Sequence, residues 1–295
     1  MKFVKMHGIG NDYVYVNCFQ ETVENKSEVA RYVSDRHFGV GSDGAIFINP
    51  SKEADCEMEM YNADGSRSEM CGNGIRCVAK FVYDYGIVDK TELSIISMGK
   101  VKYLTLFVKK EEPNPLTGRL YGKRTDGMAV DTVTVDMGEP ELVPADIPVK
   151  LPDRNADRCI LEDIGVDGKD YRMTCVSMGN PHAVVFVEDV EHFPVAQVGP
   201  AFEYHECFPK RVNVEFAKVL DRNTVRMRVW ERGSGETLAC GTGACATAVA
   251  CILTGLTEEE VTIRLLGGDL IIRWDREQNR VFMTGSAATV FEGEL

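Results

Sequence analysis

The chain has 295 residues, 44% of them hydrophobic and 27% charged, with a formal net charge of −13 at pH 7. That length suits one large domain or two of about 150 residues, with enough chain to bury a core. The acidic balance argues against nonspecific binding to nucleic acid or to acidic membranes, and no stretch approaches the roughly 20 apolar residues of a membrane span. Residues 1–8 lack the apolar core of a secretory signal, so the expected place is the cytoplasm. The ten cysteines include no Cys-x-x-Cys pair. The spacings Cys71-x5-Cys77, Cys240-x4-Cys245 and Cys245-x5-Cys251 match no common zinc module. The cysteines are expected to be mostly reduced and buried, with no metal site.

In chain order, residues 4–17, 44–48 and 56–61 read as strands. A Gly-rich turn follows, then a helix that begins near Cys71 or Gly72 and runs to about Tyr85, with Gly86 just past its end. Residues 109–131 are polar and rich in proline and glycine, including Pro113, Pro115 and Gly118; a hairpin tip and a domain crossover are expected there. Residues 144–170 read as loops with one helix. Residues 175–187, 212–219 and 224–230 read as strands. A second helix is expected from Cys240 or Gly241 to Leu253, with Gly255 as its stop; its alanines favour a helix and let strands pack closely around it. Residues 281–291 read as a final strand that returns to the first domain.

The two halves repeat at one spacing. Cys71-Gly72-Asn73-Gly74 and Cys240-Gly241-Thr242-Gly243 lie 169 residues apart (240 − 71 = 169). The same offset relates Asn11 to Asn180, Gly44 to Asn213, and Tyr61-Asn62 to Trp230-Glu231. A fixed offset across four anchors points to an old duplication, with two domains of like topology.

The repeated cysteine carries the chemistry. A helix N-terminus bears partial positive charge and unpaired N–H groups, which favour a thiolate and hold a carboxylate. A thiol at such an end is expected to fall toward or below pH 7. Inverting a stereocentre by deprotonation needs a base on one face and an acid on the other, and a thiolate and thiol exchange those roles in the reverse reaction. The competing reading of Cys71 and Cys240 is that of small buried residues at turns; the matched contexts favour the acid/base pair. Cys18, Cys56, Cys77, Cys159, Cys175, Cys207, Cys245 and Cys251 are read as core.

The segments 7–12, 61–66, 71–77, 179–182, 211–215, 231–237 and 240–243, with Met137-Gly138-Glu139-Pro140 and Met283-Thr284-Gly285, resemble diaminopimelate epimerases nearly end to end. The resemblance implies an α+β fold of two pseudo-symmetric domains, each a curved mixed sheet around a central helix. It divides the chain into residues 1–128, with 286–295 returning to them, and residues 129–285. It implies interconversion of LL- and meso-2,6-diaminoheptanedioate without a cofactor, on the route to lysine and peptidoglycan, with Cys71 and Cys240 as the catalytic residues. Backbone amides of Gly72, Asn73, Gly241 and Thr242 would hold the reacting carboxylate. Asn62, Asn180, Asn213 and Arg232 would bind the distal end, with Asn11 and Glu231 also lining the site. His182 near the first cysteine and Glu231 near the second would orient or polarise the thiols. Diaminopimelate is the implied small-molecule partner, and a homodimer the implied assembly.

Two departures stand out. Gly44 replaces a glutamine of some members, and Gly285-Ser286 replaces a Gly-Pro. Asn11 and Asn180 have an alternative role as turn-formers, His182 as a partner of backbone groups, and Glu231-Arg232 as a solvated pair. The rival functions are a proline or hydroxyproline racemase on the same fold, and a thiol redox protein in which Cys71 and Cys240 join.

Overall fold

The computed structural model describes residues 1–67, 71–114, 117–153 and 156–295; Glu69, Met70 and Pro115 lie outside the described residues. The chain divides into two units, Met1–Asp136 with Thr284–Leu295, and Met137–Met283. It is an α+β fold dominated by mixed sheet.

The first unit holds β1 (Lys2–Gly8), β2 (Asn11–Asn17), α1 (Lys26–Ser34), β3 (Gly44–Asn49), β4 (Cys56–Asn62), α2 (Gly72–Asp84), β5 (Glu92–Ser97), β6 (Lys100–Lys110) and β7 (Met128–Gly138). The second holds β8 (Glu162–Val166), β9 (Lys169–Ser177), β10 (Pro181–Phe186), α3 (Val195–Glu203), β11 (Asn213–Asp221), β12 (Thr224–Glu231), β13 (Gly235–Thr237), α4 (Gly241–Leu253), β14 (Glu260–Arg264), β15 (Asp269–Asp275) and β16 (Arg280–Ser286). The unit divisions fall within β7 and β16. The last strand, β17 (Ala288–Glu294), pairs antiparallel with β1.

The run 4–17 is two strands, because residues 9 and 10 turn the chain with φ of 47° and 90°. Two positive φ values in a two-residue loop match the right-handed twist of a hairpin. The run 281–291 likewise divides, at Ala287, into β16 and β17. The polar stretch after Lys110 is the tip of the β6–β7 hairpin, in which Lys110 pairs with Met128. In residues 144–170 the expected helix is missing: the described residues form turns and the strand β8. The helix of this part of the chain is α3, obscured in sequence by Gly199 and Pro200. A Cβ on Gly199 would stand 2.4 Å from Trp230 Cγ, so the glycine admits the indole against the helix.

Strand registers bear out the duplication. Val14 pairs with Ala45 and Ala183 with Val214; Ala45 pairs with Tyr61 and Val214 with Trp230. Each second pair is the first moved by 169 residues, as is Gly241–Leu253 relative to Gly72–Asp84. The offset is 170 in the strand before, since Val4 pairs with Tyr15 and Thr174 with Val184. It is 168 in the strands after, since Leu93 pairs with Leu104 and Val261 with Ile272. The second half is one residue shorter at each of two places, both outside the stretch that carries the chemistry.

Strands β2, β3 and β10, with the first half of β11, are buried on both faces and apolar almost throughout. In β2 and β3, Val14, Val16, Ala45 and Phe47 pack toward Ala30 and Val33 of α1. In β10 and β11, Ala183, Val185, Val214 and Phe216 pack with Phe202 of α3. The alternate residues turn inward to α2 and α4. These two helices are buried all round, α2 at every residue but Lys80 and α4 at every residue but Thr242 and Leu253. α4 meets that demand with small apolar side chains. α2 instead buries Arg76, whose guanidinium donates to Gly72 O (3.0 Å), Asn73 Oδ1 (2.9 Å) and Ser286 O (3.2 Å). Among the described residues, no helix is long and apolar enough to cross a membrane.

Candidate active site

Cys71 and Cys240 are the N-cap residues of α2 and α4. Their backbones nearly coincide, with φ/ψ of −112°/114° and −120°/110°. Each Sγ accepts the N–H of the residue three positions on, Gly74 at 3.3 Å and Gly243 at 3.4 Å. The sulfur thus stands in for the usual capping oxygen, with the remaining first-turn N–H groups unused by the helix. Close approach explains the glycines. A Cβ on Gly74 would lie 2.8 Å from Ile46 Cδ1, and one on Gly243 would lie 2.5 Å from Glu215 Oε1.

In the first unit the structure brings Cys71 and Asn11 together. The Cys71 thiol donates to Asn11 Oδ1 at 3.2 Å. The other end of that amide donates from Nδ2 to Asp43 Oδ2 at 2.8 Å, which fixes the amide's orientation. Tyr13 is buried beside both and hydrogen-bonds with each. Burial and the charge of Cys71 push its phenol well above the ordinary range, so it remains an O–H donor. Asn62 ends β4 opposite Gly44 and donates to Ser66 Oγ at 3.0 Å. A Cβ on Gly44 would stand 2.1 Å from the Tyr61 carbonyl oxygen and 3.0 Å from the Tyr13 ring. Glycine is therefore the residue this close strand pair admits. The Asn73 side chain is tied to Arg76, whose guanidinium donates to its Oδ1.

The second unit is more heavily charged. The Glu231 carboxylate hydrogen-bonds with Thr237 and with Cys240; burial raises it, and those hydrogen bonds partly offset the rise. Burial, then the Glu231 and Glu215 carboxylates, push the Cys240 thiol well above its ordinary range. This overturns the low value expected of a helix-end thiol: a sulfur without water beside two carboxylates loses more than the helix end supplies. Thr242 Oγ1 lies 3.6 Å from Cys240 Sγ.

His182, fully buried on β10, joins Glu215 Oε1 through Nδ1 (2.7 Å) and Asn180 Oδ1 through Nε2 (3.0 Å). The histidine thus belongs to the group around Cys240, through Glu215. Asn213 donates to Pro181 O at 2.9 Å and accepts from the Arg232 backbone N–H at 2.9 Å. Its amide pins two loops together. Half-buried Arg232 donates from Nη1 to Lys210 O at 3.0 Å. Its loop is braced by buried Glu203, which accepts from Gly233 N (3.0 Å), Trp230 Nε1 (2.8 Å) and Arg211 Nη1 (3.0 Å).

Tyr13, Asp43, Glu203 and Glu215 were not among the residues singled out from the sequence. Two of them had a signal there. Tyr13 is His182 moved back by 169, and Glu215 ends the Arg211–Glu215 motif. Asp43 and Glu203 act through hydrogen bonds that no spacing reveals.

The Diaminopimelate epimerase family model matches residues 3–119 and 174–290, one stretch in each half. The chain belongs to the diaminopimelate epimerase family. Curated diaminopimelate epimerases from Acetivibrio thermocellus and Agathobacter rectalis are 54% and 55% identical to it, over 100% of this chain and 98% and 99% of theirs. One from Methanococcus maripaludis is 52% identical over 100% of this chain and 99% of its own. The protein is thus an enzyme of the isomerase class. Among solved structures, a PhzF-family phenazine biosynthesis protein from Bacillus anthracis aligns with TM-score 0.65 at 15% identity, covering 100% of this chain and 98% of that one. A hydroxyproline epimerase from Agrobacterium vitis aligns with TM-score 0.64 at 13% identity, covering 100% and 90%. At such identities these two likenesses concern the fold alone, which diaminopimelate epimerases share with other isomerases.

Proposed function

We propose that the protein converts LL-2,6-diaminoheptanedioate to the meso form, without a cofactor, through Cys71 and Cys240 acting as base and acid. The observation that carries this reading is the matched pair of N-cap cysteines, each sulfur held by the third N–H of a buried helix, in a chain about half identical to named diaminopimelate epimerases. Cys240, buried and faced by two carboxylates, rests as the thiol and supplies the proton. Cys71, hydrogen-bonded by the neutral Tyr13 hydroxyl, acts as the base in that direction. The reading requires the two sulfurs to meet opposite faces of one α-carbon.

The first-turn N–H groups of Gly72, Asn73, Gly241 and Thr242 are suited to the reacting carboxylate, onto which charge spreads as the α-proton leaves. Water excluded from such a site strengthens these interactions. At the distal end, Arg232 offers a planar fork for a carboxylate, and the Asn62 and Asn180 amides add donors without charge. Asn213 holds the Arg232 loop. This step belongs to lysine and peptidoglycan precursor synthesis in the cytoplasm.

Purified protein incubated with LL-2,6-diaminoheptanedioate, L-proline, trans-4-hydroxy-L-proline and L-lysine should epimerise the first alone. Turnover of a single-centre amino acid in preference to diaminoheptanedioate would overturn the assignment.

A further inference from the structure

Glu215 sits where packing alone asks for an aliphatic residue. Its counterpart 169 residues earlier is Ile46, and both side chains press on the second glycine of a helix first turn. Yet Glu215 is fully buried, and its Oε2 has no hydrogen-bond partner among the described residues. An enclosed carboxylate is costly unless paired, so its presence calls for a task. Its Oε1 is 2.7 Å from His182 Nδ1, and His182 Nε2 is 3.0 Å from Asn180 Oδ1. The amide oxygen only accepts, so Nε2 is the donor to Asn180, and Nδ1 faces the Glu215 carboxyl group. With its oxygen held by the ring, the Asn180 amide keeps its N–H end for a ligand.

We propose that Glu215 is a positioning residue, which through His182 fixes the Asn180 amide as a donor toward the substrate's distal carboxylate. The proposal rests on the epimerase reading for the identity of that ligand, but the relay itself is a property of the ligand-free protein. At the matching place in the first unit, Tyr13 stands for His182 and Ile46 for Glu215, so no such relay exists there. The two cysteine environments are therefore alike in backbone and unlike in charge.

Two variants test it. Glu215→Ile copies the packing of Ile46, and Glu215→Gln keeps the shape without the charge. In ligand-free wild type, nitrogen-15 spectra should show the proton fixed on His182 Nε2; in both variants it should divide between the two ring nitrogens. The KM for LL-2,6-diaminoheptanedioate should rise about tenfold, the scale of one charge-assisted hydrogen bond, with a smaller change in kcat. A Glu215→Ile enzyme with wild-type KM, or a bare Nε2 in the wild type, would overturn the proposal. If Glu215→Ile does not fold, the same readouts on Glu215→Gln decide. Failure of wild type to turn over diaminoheptanedioate would instead strike the epimerase reading and leave the spectral test standing.

Discussion

Ile46 and Glu215 occupy the same place in two duplicated half-structures, one inward-facing position on β3 and β11, against the first turn of a buried helix. Only the second has a histidine beside it. Ile46→Glu should therefore destabilise the protein by about 3 kcal/mol or more, because no histidine faces a carboxylate buried there. Urea unfolding measures this; a change below about 1 kcal/mol would contradict the asymmetry.

Glu203 holds the loop that presents Arg232. Replacing it by alanine leaves the Trp230 indole N–H and the Gly233 N–H without their acceptor. The expected cost is about 2–4 kcal/mol, with a raised KM for diaminoheptanedioate because Arg232 loses its brace. Glu203→Gln, which keeps one acceptor oxygen, should recover part of both effects. Equal KM in wild type and Glu203→Ala would show that the brace is irrelevant to binding.

Buried thiols set the alkaline limit of stability. Burial pushes Cys56 and Cys251 up to about 12 and Cys77 up to about 11, from an ordinary value of 9.0. Above pH 9 the unfolded chain releases these protons while the folded chain retains them. The unfolded state then binds fewer protons, and stability falls as pH rises. Their contribution is whole below pH 9 and is lost between pH 9 and about 12, at about 1.4 kcal/mol per pH unit for each thiol. Urea midpoints should hold from pH 7 to 8.5 and drop steeply by pH 10. A flat profile to pH 10 would contradict this burial.

The helices that carry the cysteines were legible because their signals are local: a cysteine before Gly-x-Gly, small or apolar residues, and Gly86 or Gly255 at the stop. The duplication was legible because the 169-residue offset survives unbroken from Asn11 to the end of α2. Strand ends were not: β1 and β2 are buried on both faces and so lack the polar alternation that marks a turn, as at Ile9. Helix α3 was hidden by Gly199 and Pro200, residues that break helices in isolation, although here Gly199 admits Trp230. The state of Cys240 was misjudged because a helix end is visible in sequence, whereas burial and the approach of Glu215 from another strand are not.

The central claim is that two cysteines invert one α-carbon. Its most direct test is the fate of the α-hydrogen when LL-2,6-diaminoheptanedioate is turned over briefly in deuterium oxide. Two opposed thiols predict meso product carrying deuterium at the inverted centre, recovered LL substrate still carrying protium, and no inversion by Cys71→Ala or Cys240→Ala, both folded. Inversion that retains the substrate's own hydrogen, or full activity in either single variant, would contradict it.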